Sequence, residues 1–177
     1  MIAKKVEEAI NAQINAEIYS AYLYLSMSAY FQHRGLKGFA HWMEVQTAEE
    51  FGHARKFYTY LYDRGGRVTM RPIEGPPTDW KSPEHVFEEV YRHEQKVTSL
   101  INGIADLAIA EKDHATSQMI QWFVAEQVEE EASALEILEE LKLIGNDGNG
   151  LLMKDRELAQ RVLNPLLFAG IATAAGA

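Results

Sequence analysis

The sequence contains no cysteine, which excludes disulfide bonds, thiolate zinc sites and cysteine-ligated iron–sulfur clusters. Positive charge is also scarce, because 17 lysines and arginines face 26 aspartates and glutamates and leave a formal net charge of −9. This balance argues against nucleic acid or an anionic membrane as the main partner. It is compatible with attracting cations.

Long apolar runs are missing as well. The longest weakly polar run, PLLFAGIATAAGA, is too short to span a bilayer. The opening stretch MIAKKVEEAI is charged and amphipathic and does not have the apolar core of a signal peptide. We therefore expect a cytoplasmic protein. With 177 residues, 47% of them hydrophobic, the chain suits one folded domain with a substantial core.

Proline is infrequent, and three of the five prolines fall in the segment 65–82, which cannot be a regular helix. The rest of the pattern predicts an all-α protein with helices at about 4–34, 36–64, 83–112 and 114–144, and a short fifth helix at 151–163. Ser82 and Asp113 are expected to cap the third and fourth helices, and Gly65 with Gly66 to end the second.

Four helices of about 30 residues, each roughly 45 Å long, predict a four-helix bundle. The first and second helices, and likewise the third and fourth, are joined by very short connections, so each pair should be antiparallel. The segment 65–82 can reach about 60 Å when extended, which is enough to run back along a whole helix. The simplest topology is two helical hairpins joined by one long crossover.

Each long helix carries an apolar stripe, in steps of three and four, that becomes polar near the helix midpoint. The polar positions are Glu17 in the first helix, Glu50 and His53 in the second, Glu94 in the third, and Gln127 and Glu130 in the fourth. In a bundle of equal helices the midpoints fall at one level. These side chains should therefore converge in the core.

Such a layer needs compensation, because an unpaired buried carboxylate costs several kcal/mol or more. No lysine or arginine occupies the middle of any stripe, so we expect no counter-charge from the chain there. A single acid could be protonated or turn to solvent. This explanation fits poorly when four acids and a histidine lie at one level of the bundle. A bound metal solves the problem directly, and four carboxylates would balance two divalent ions. Carboxylates with one imidazole and no sulfur favour iron or manganese.

The first helix indicates assembly. Apolar and aromatic side chains, among them Tyr19, Tyr22, Leu23 and Tyr30, cover nearly all of its sides, whereas a helix in a lone bundle should have a polar outer face. We expect a partner subunit to cover it. The histidines outside the polar layer fall off the stripes or at helix ends, where surface positions are expected: His33, His41, His85, His93 and His114.

The stretches QINAEIYSAYLYLSM, EEFGHARKFY, EKDHAT and WFVAEQVEEE, with GRV, PP and W in the crossover, resemble non-haem ferritins of the bacterial and archaeal type. This ferritin-like di-iron family places glutamates and Glu-x-x-His on bundle helices. The resemblance covers about residues 4–162. It implies a 24-subunit homo-oligomeric shell that oxidises Fe(II) with dioxygen or peroxide and stores ferric mineral.

The resemblance also implies roles for individual residues. One iron of a ferroxidase centre would be held by Glu17, Glu50 and His53, and the other by Glu50, Glu94 and Glu130, with Gln127 beside them. A third iron site would use Glu49, Glu126, Glu129 and Glu130, although an acidic helix edge in solvent is a common alternative for the first three. Tyr24 resembles the redox tyrosine of the family, and an ordinary buried tyrosine is its alternative.

The sequence departs from related families. Bacterioferritins repeat Glu-x-x-His in the fourth helix, where this chain has Gln127-x-x-Glu130, and they bind haem through a methionine where this chain has Gly52. We therefore expect no haem. The lack of cysteine excludes a rubrerythrin. We predict a ferritin-like domain at 1–163 and a tail of unknown role at 164–177.

Two other functions stay open at this point. The first is a di-iron or di-manganese oxidase that acts on an organic substrate and stores nothing. It would need an apolar pocket beside the metals, for which the closely spaced stripes leave little room. The second is a purely structural helical bundle, against which the buried acidic layer speaks.

Overall fold

The computed structural model describes residues 2–164, which form five α-helices and no β-strand. The helices are α1 (Lys4–His33), α2 (Lys37–Asp63), α3 (Pro83–Ala110), α4 (His114–Ile144) and α5 (Gly148–Leu158). The predicted all-α class, with four long helices and a short fifth one, is confirmed. The predicted tail lies outside the described residues apart from Asn164. No helix in the described part of the chain is long and apolar enough to cross a membrane.

The helix ends follow the predicted capping chemistry. The Ser82 hydroxyl accepts a hydrogen bond from the backbone N–H of His85 at 3.1 Å, and the Asp113 carboxylate accepts one from Thr116 at 3.1 Å. Gly35 and Gly65 follow α1 and α2 with φ of +77° and +69°, a conformation that glycine adopts without a steric cost. Gly35 and Asp113 lie in the short connections of the two hairpins, whereas Gly65 and Ser82 mark the two ends of the long crossover.

Two apolar clusters define the direction of the helices. One cluster joins the end of α1, the start of α2, the start of α3 and the end of α4, with Phe31, Phe39, Phe87 and Leu141 among its members. The other cluster joins the opposite ends of the same four helices. Because α2 and α3 both begin in the first cluster, they are parallel, as the long crossover predicts. The polar layer lies between the two clusters.

The crossover between α2 and α3 runs along α1. Asn11 near the start of α1 donates to the carbonyl of Arg67 at 2.9 Å and accepts from the N–H of Thr69 at 2.7 Å. Near the other end, Trp80 packs against Tyr30 with 5.4 Å between ring centroids. The crossover therefore covers one side of α1, and Leu23 and Tyr30 are buried within the subunit. The expectation that a partner subunit covers these two residues was wrong.

The fifth helix begins and ends earlier than predicted. Asp147 caps it by accepting from the N–H groups of Asn149 and Gly150, both at 3.1 Å, so the helix starts before the apolar pair in LLMKDREL. Asp155 of α5 accepts from the first N–H groups of α2, at 2.8 Å from Gly38. A Cβ at Gly38 would lie 1.5 Å from the Asp155 carbonyl oxygen, so only glycine permits this approach. The segment after α5 is thereby held against α2.

Candidate metal centre

The four long helices bring the predicted polar layer together at mid-height of the bundle. Glu17, Glu50, His53 and Glu94 are buried, with at most 2% of each residue exposed. They lie on three different helices between the two apolar clusters. Three carboxylates and an imidazole thus share an interior with little access to water, where ionised carboxylates are costly unless they gain a proton or a compensating charge.

Glu17, Glu50 and His53 form the most compact group of possible ligands. One ligand atom from each lies within 4.8 Å of the others, and His53 Nδ1 is 3.3 Å from Glu50 Oε2. Glu17 Oε2 and His53 Nε2 are buried and have no hydrogen-bond partner among the described residues. Unsatisfied buried groups of this kind are rare in native proteins. A carboxylate oxygen and an imidazole nitrogen in these positions fit a divalent cation.

Glu94 is held by two neutral donors. The Tyr24 hydroxyl donates to Glu94 Oε1, and Gln127 Nε2 donates to Glu94 Oε2 at 3.2 Å. The same Gln127 nitrogen is 3.3 Å from the Glu94 carbonyl oxygen. In this arrangement Gln127 offers its NH₂ group to Glu94.

Glu130 stands between the buried layer and a cavity. It is partly exposed and accepts a hydrogen bond from Gln46 Nε2 at 2.8 Å. The cavity has a volume of about 260 Å³ and its lining includes Glu49, Glu126, Glu129 and Glu130. Possible ligand atoms of His53, Glu126 and Glu130 lie within 4.8 Å of one another. All four residues predicted for a third site therefore face one space.

The carboxylates of the layer are hard to ionise without a cation. Burial raises the pKa of Glu17 well above its ordinary value, and the charge of Glu50 raises it further. Burial and then the charges of Glu94 and Glu130 do the same to the pKa of Glu50. Burial, followed by the charge of Glu94, raises the pKa of Glu130 to about 7. A bound cation would favour the ionised forms, so cation binding should release protons.

The family model of the ferritin-like domain matches residues 7–144, most of the chain. The chain belongs to the ferritin family. It is 47% identical over 161 residues to the bacterial non-heme ferritin of Bacteroides fragilis strain 638R, covering 91% of this chain and 100% of that one. It is 40% identical to a probable bacterial non-heme ferritin-like protein of Haemophilus influenzae over 158 residues, 89% of this chain and 96% of the relative.

Solved structures agree with this assignment. An open-pore ferritin from the hyperthermophilic archaeon Archaeoglobus fulgidus matches with a TM-score of 0.91 and 55% identity, over 92% of this chain and 100% of that chain. A closed form of the same archaeal ferritin, engineered by site-directed mutagenesis, matches with a TM-score of 0.91 and 54% identity, over 93% of this chain and 100% of that one.

This ferritin does supply a positive charge near the polar layer, contrary to the expectation from the stripes. Arg161, which follows α5, lies 2.5 Å from Glu49 Oε2 and also donates to Gln46 Oε1. Sequence reasoning missed it because Arg161 lies outside the four bundle helices, in a segment that reaches α2 only through tertiary packing. The spacing of apolar and polar residues along the bundle helices does not predict such a contact.

His93 also differs from its expected surface position. Its Nε2 lies 2.8 Å from the Ser20 hydroxyl, and its ring contacts Tyr24 and Tyr19, each with a centroid distance of 6.0 Å. Burial and, to a smaller extent, the charge of Lys96 lower the pKa of His93 to about 4. This histidine is therefore neutral near pH 7 and packs beside the tyrosine that contacts Glu94.

Of the other four histidines outside the polar layer, His33 and His114 are exposed, as expected, while His41 and His85 are partly buried.

Proposed function

We propose that this protein stores iron, and that it oxidises Fe(II) to Fe(III) at the buried Glu/His centre before the iron enters a mineral core. The observation that carries the proposal is the buried group of Glu17, Glu50 and His53 with its two unpartnered ligand atoms, in a chain of the ferritin family. The relatives named non-heme ferritins support the same function. In this reaction Fe(II) is the substrate.

The proposed ligand set takes its first group from the geometry of the layer and its second from the family resemblance. Glu17, Glu50 and His53 hold one Fe(II), while Glu50 bridges to a second that Glu94 and Glu130 also hold. The count of two irons is supported by charge, because four carboxylates balance two divalent ions. Each Fe(II) gives one electron to dioxygen or peroxide, and hard anionic oxygens stabilise the Fe(III) that forms. Gln127, through its NH₂ group, keeps Glu94 oriented.

Tyr24 has a more limited role in the proposal. Its hydroxyl donates to Glu94 Oε1, and burial followed by the charge of Glu94 raises the pKa of Tyr24 well above its ordinary value. The hydroxyl therefore stays protonated and keeps a hydrogen bond on Glu94. An additional redox role for Tyr24 stays a prediction based on the family resemblance.

Iron leaves the centre through the acidic cavity in this proposal. Glu130 lies between the buried centre and the cavity. Glu49, Glu126 and Glu129 provide further carboxylates in the lining of the cavity. A third iron in the cavity would be held less tightly than the first two, because the cavity is more exposed. A graded series of sites lets iron move outward to the mineral. The rival oxidase function requires a pocket for an apolar organic substrate. The charged lining of this cavity does not suit such a substrate.

Assembly into a homo-oligomer is supported by an apolar surface that the crossover leaves uncovered. Exposed side chains there include Tyr22 and Leu25 of α1, Phe51 of α2, and Met70 of the crossover. A groove of about 400 Å³ lined by Phe51 and Met70, among others, lies on this surface. Apolar surface of this kind marks an interface. The 24-subunit count and the cytoplasmic location stay predictions.

The decisive experiment is an anaerobic Fe(II) titration of the apoprotein, followed by exposure to oxygen while absorbance and sedimentation are recorded. We expect saturation near two or three Fe(II) per subunit, rapid oxidation, and continued soluble loading in a very large particle. Binding that stops at two metals, in a small particle that accumulates no more iron, would contradict storage and favour a di-metal oxidase.

A further inference from the structure

Arg161 places a positive charge in the acidic cavity beside the buried centre. Its guanidinium lies 2.5 Å from Glu49 Oε2 and stacks over Trp42, with Cζ 4.3 Å from the ring centroid. Its side chain is 21% exposed, so the ion pair with Glu49 is only partly screened by water. Glu49 is thus paired with an internal cation where the proposed function requires it to bind a metal ion.

Gln46 connects the same guanidinium to the centre. Arg161 donates to Gln46 Oε1, while Gln46 Nε2 donates to Glu130 Oε2 at 2.8 Å. Gln46 is fully buried, so each end of its amide depends on one of these partners. Because the carbonyl end is held by Arg161, the NH₂ end points at Glu130. Arg161 therefore stabilises the position of Glu130 through one intervening side chain.

The backbone of Arg161 is fixed independently of its guanidinium. His41 Nε2 lies 2.8 Å from the Arg161 carbonyl oxygen, and Asp155 in the preceding helix caps the N-terminus of α2. The long side chain can consequently leave the cavity by rotation about its own bonds, without unfolding of the segment. A second cation, Lys56, lies over the ring of Trp122, with Nζ 3.1 Å from the centroid, and does not line the cavity.

We propose that Arg161 is a tethered cation that competes with metal ions for the acidic cavity and, through Gln46, keeps Glu130 directed at the buried centre. This inference rests on the proposed function, in which the cavity takes a third metal ion. A metal ion that binds Glu49 displaces the guanidinium, and Gln46 then loses the partner that fixes its amide. Glu130 becomes free to turn into the cavity. Filling of the cavity is thereby linked to release of metal from the centre.

The first test measures cation binding without iron oxidation. Terbium(III) is titrated into the assembled apoprotein carrying Glu17→Gln and Glu94→Gln, which weaken the buried centre and leave the cavity residues in place. We expect Arg161→Gln to tighten terbium binding about tenfold, because a nearby positive charge is removed. Arg161→Lys keeps the positive charge but loses the planar set of N–H donors of the guanidinium. It should therefore tighten terbium binding less.

The matched control is Arg156→Gln, which removes the same charge from an exposed position on α5 and should leave terbium affinity unchanged. Equal terbium affinities of Arg161→Gln and the parent would overturn the proposal. Arg161 would then serve only to hold the chain after α5 against α2. Because this readout involves no iron oxidation, failure of the ferroxidase proposal would be seen separately in the Fe(II) titration.

The second test uses the unaltered protein and does not depend on how a variant folds. Phenylglyoxal modifies accessible guanidinium groups, and peptide mass spectrometry gives the extent of reaction at each arginine. We expect Arg161 to react several-fold faster when terbium or Zn(II) fills the cavity, while Arg156 reacts at the same rate with and without metal. An Arg161 rate that is unchanged or lowered by the metal would show that the guanidinium is not displaced.

Discussion

The buried centre and the acidic cavity are both built from glutamates, but they differ in where the compensating charge comes from. At the centre, Glu17 and His53 each keep a ligand atom without a partner among the described residues. In the cavity, Glu49 is already paired with Arg161. The centre therefore depends on protonation or on a cation from outside the chain, whereas the cavity can be neutralised in part by Arg161. In the proposed function, the same residue type would thus give a tight site in one place and a displaceable site in the other.

The largest expected effect comes from the buried centre. Glu50→Gln removes the carboxylate that would bridge both metals, and we expect the rate of Fe(II) oxidation to fall about 100-fold or more, beyond the usual cost of losing a supporting residue. The apoprotein should become more stable near pH 7, because a glutamine of nearly the same volume needs neither a buried charge nor the uptake of a proton. Stopped-flow absorbance and calorimetry measure the two quantities.

The control for Glu50→Gln is Glu136→Gln, at an exposed position on α4. It should change neither the oxidation rate nor the melting temperature. If Glu50→Gln instead oxidised Fe(II) normally, the bridging role would be wrong. A lower melting temperature of the Glu50→Gln apoprotein would show that its charge is compensated without metal.

Metal binding should depend on pH through Glu130, whose pKa is raised from 4.5 to about 7 by burial and the charge of Glu94. An acid with a raised folded pKa binds more protons when folded, so apoprotein stability falls as pH rises from about 4.5 to 7. A metal ion must displace this proton, so Glu130 alone should contribute about a tenfold rise in Zn(II) affinity per pH unit below pH 7, and this contribution should then level off.

Isothermal titration with Zn(II) at several pH values, in buffers of different ionisation enthalpy, counts the protons released. Glu130→Gln should release about one proton fewer than the parent protein in the same pH range. Proton release that is independent of pH and of Glu130 would contradict the assignment. Because Glu130 lies between the buried centre and the acidic cavity, its titration also tests how closely these two sites are connected.

A smaller effect is expected at Tyr24. Tyr24→Phe removes the hydrogen bond to Glu94 while keeping the aromatic ring in the core, and we expect oxidation to slow about fivefold, in line with a contact worth about 1 kcal/mol. Rapid-mixing absorbance gives the rate. Tyr22→Phe, on the exposed side of the same helix, is the matched control. A loss as large as that of Glu50→Gln would instead favour a redox role for the tyrosine.

The predictable part of this molecule is the part governed by helical periodicity. Steps of three and four place Glu17, Glu50 and Glu94 on buried stripes, and nearly equal helix lengths bring the stripe centres to one level. Arg161 and His93 could not be found in this way. Arg161 reaches the cavity because α5 docks on α2, and His93 is partly shielded because its ring contacts Tyr19 and Tyr24. Both positions depend on tertiary contacts outside the repeating pattern.

The smallest effect separates the backbone anchor of Arg161 from its charge. His41→Leu removes the hydrogen bond from His41 Nε2 to the Arg161 carbonyl and leaves the guanidinium intact. A more mobile Arg161 spends less time in the cavity, so terbium should bind there about twofold more tightly, a fraction of the change expected from losing the charge. His33→Leu, at an exposed position at the end of α1, is the control. If His41→Leu matched the full effect of Arg161→Gln, the anchor rather than the guanidinium would set the affinity of the cavity. The contrast with the buried centre would then lie in rigidity rather than in charge.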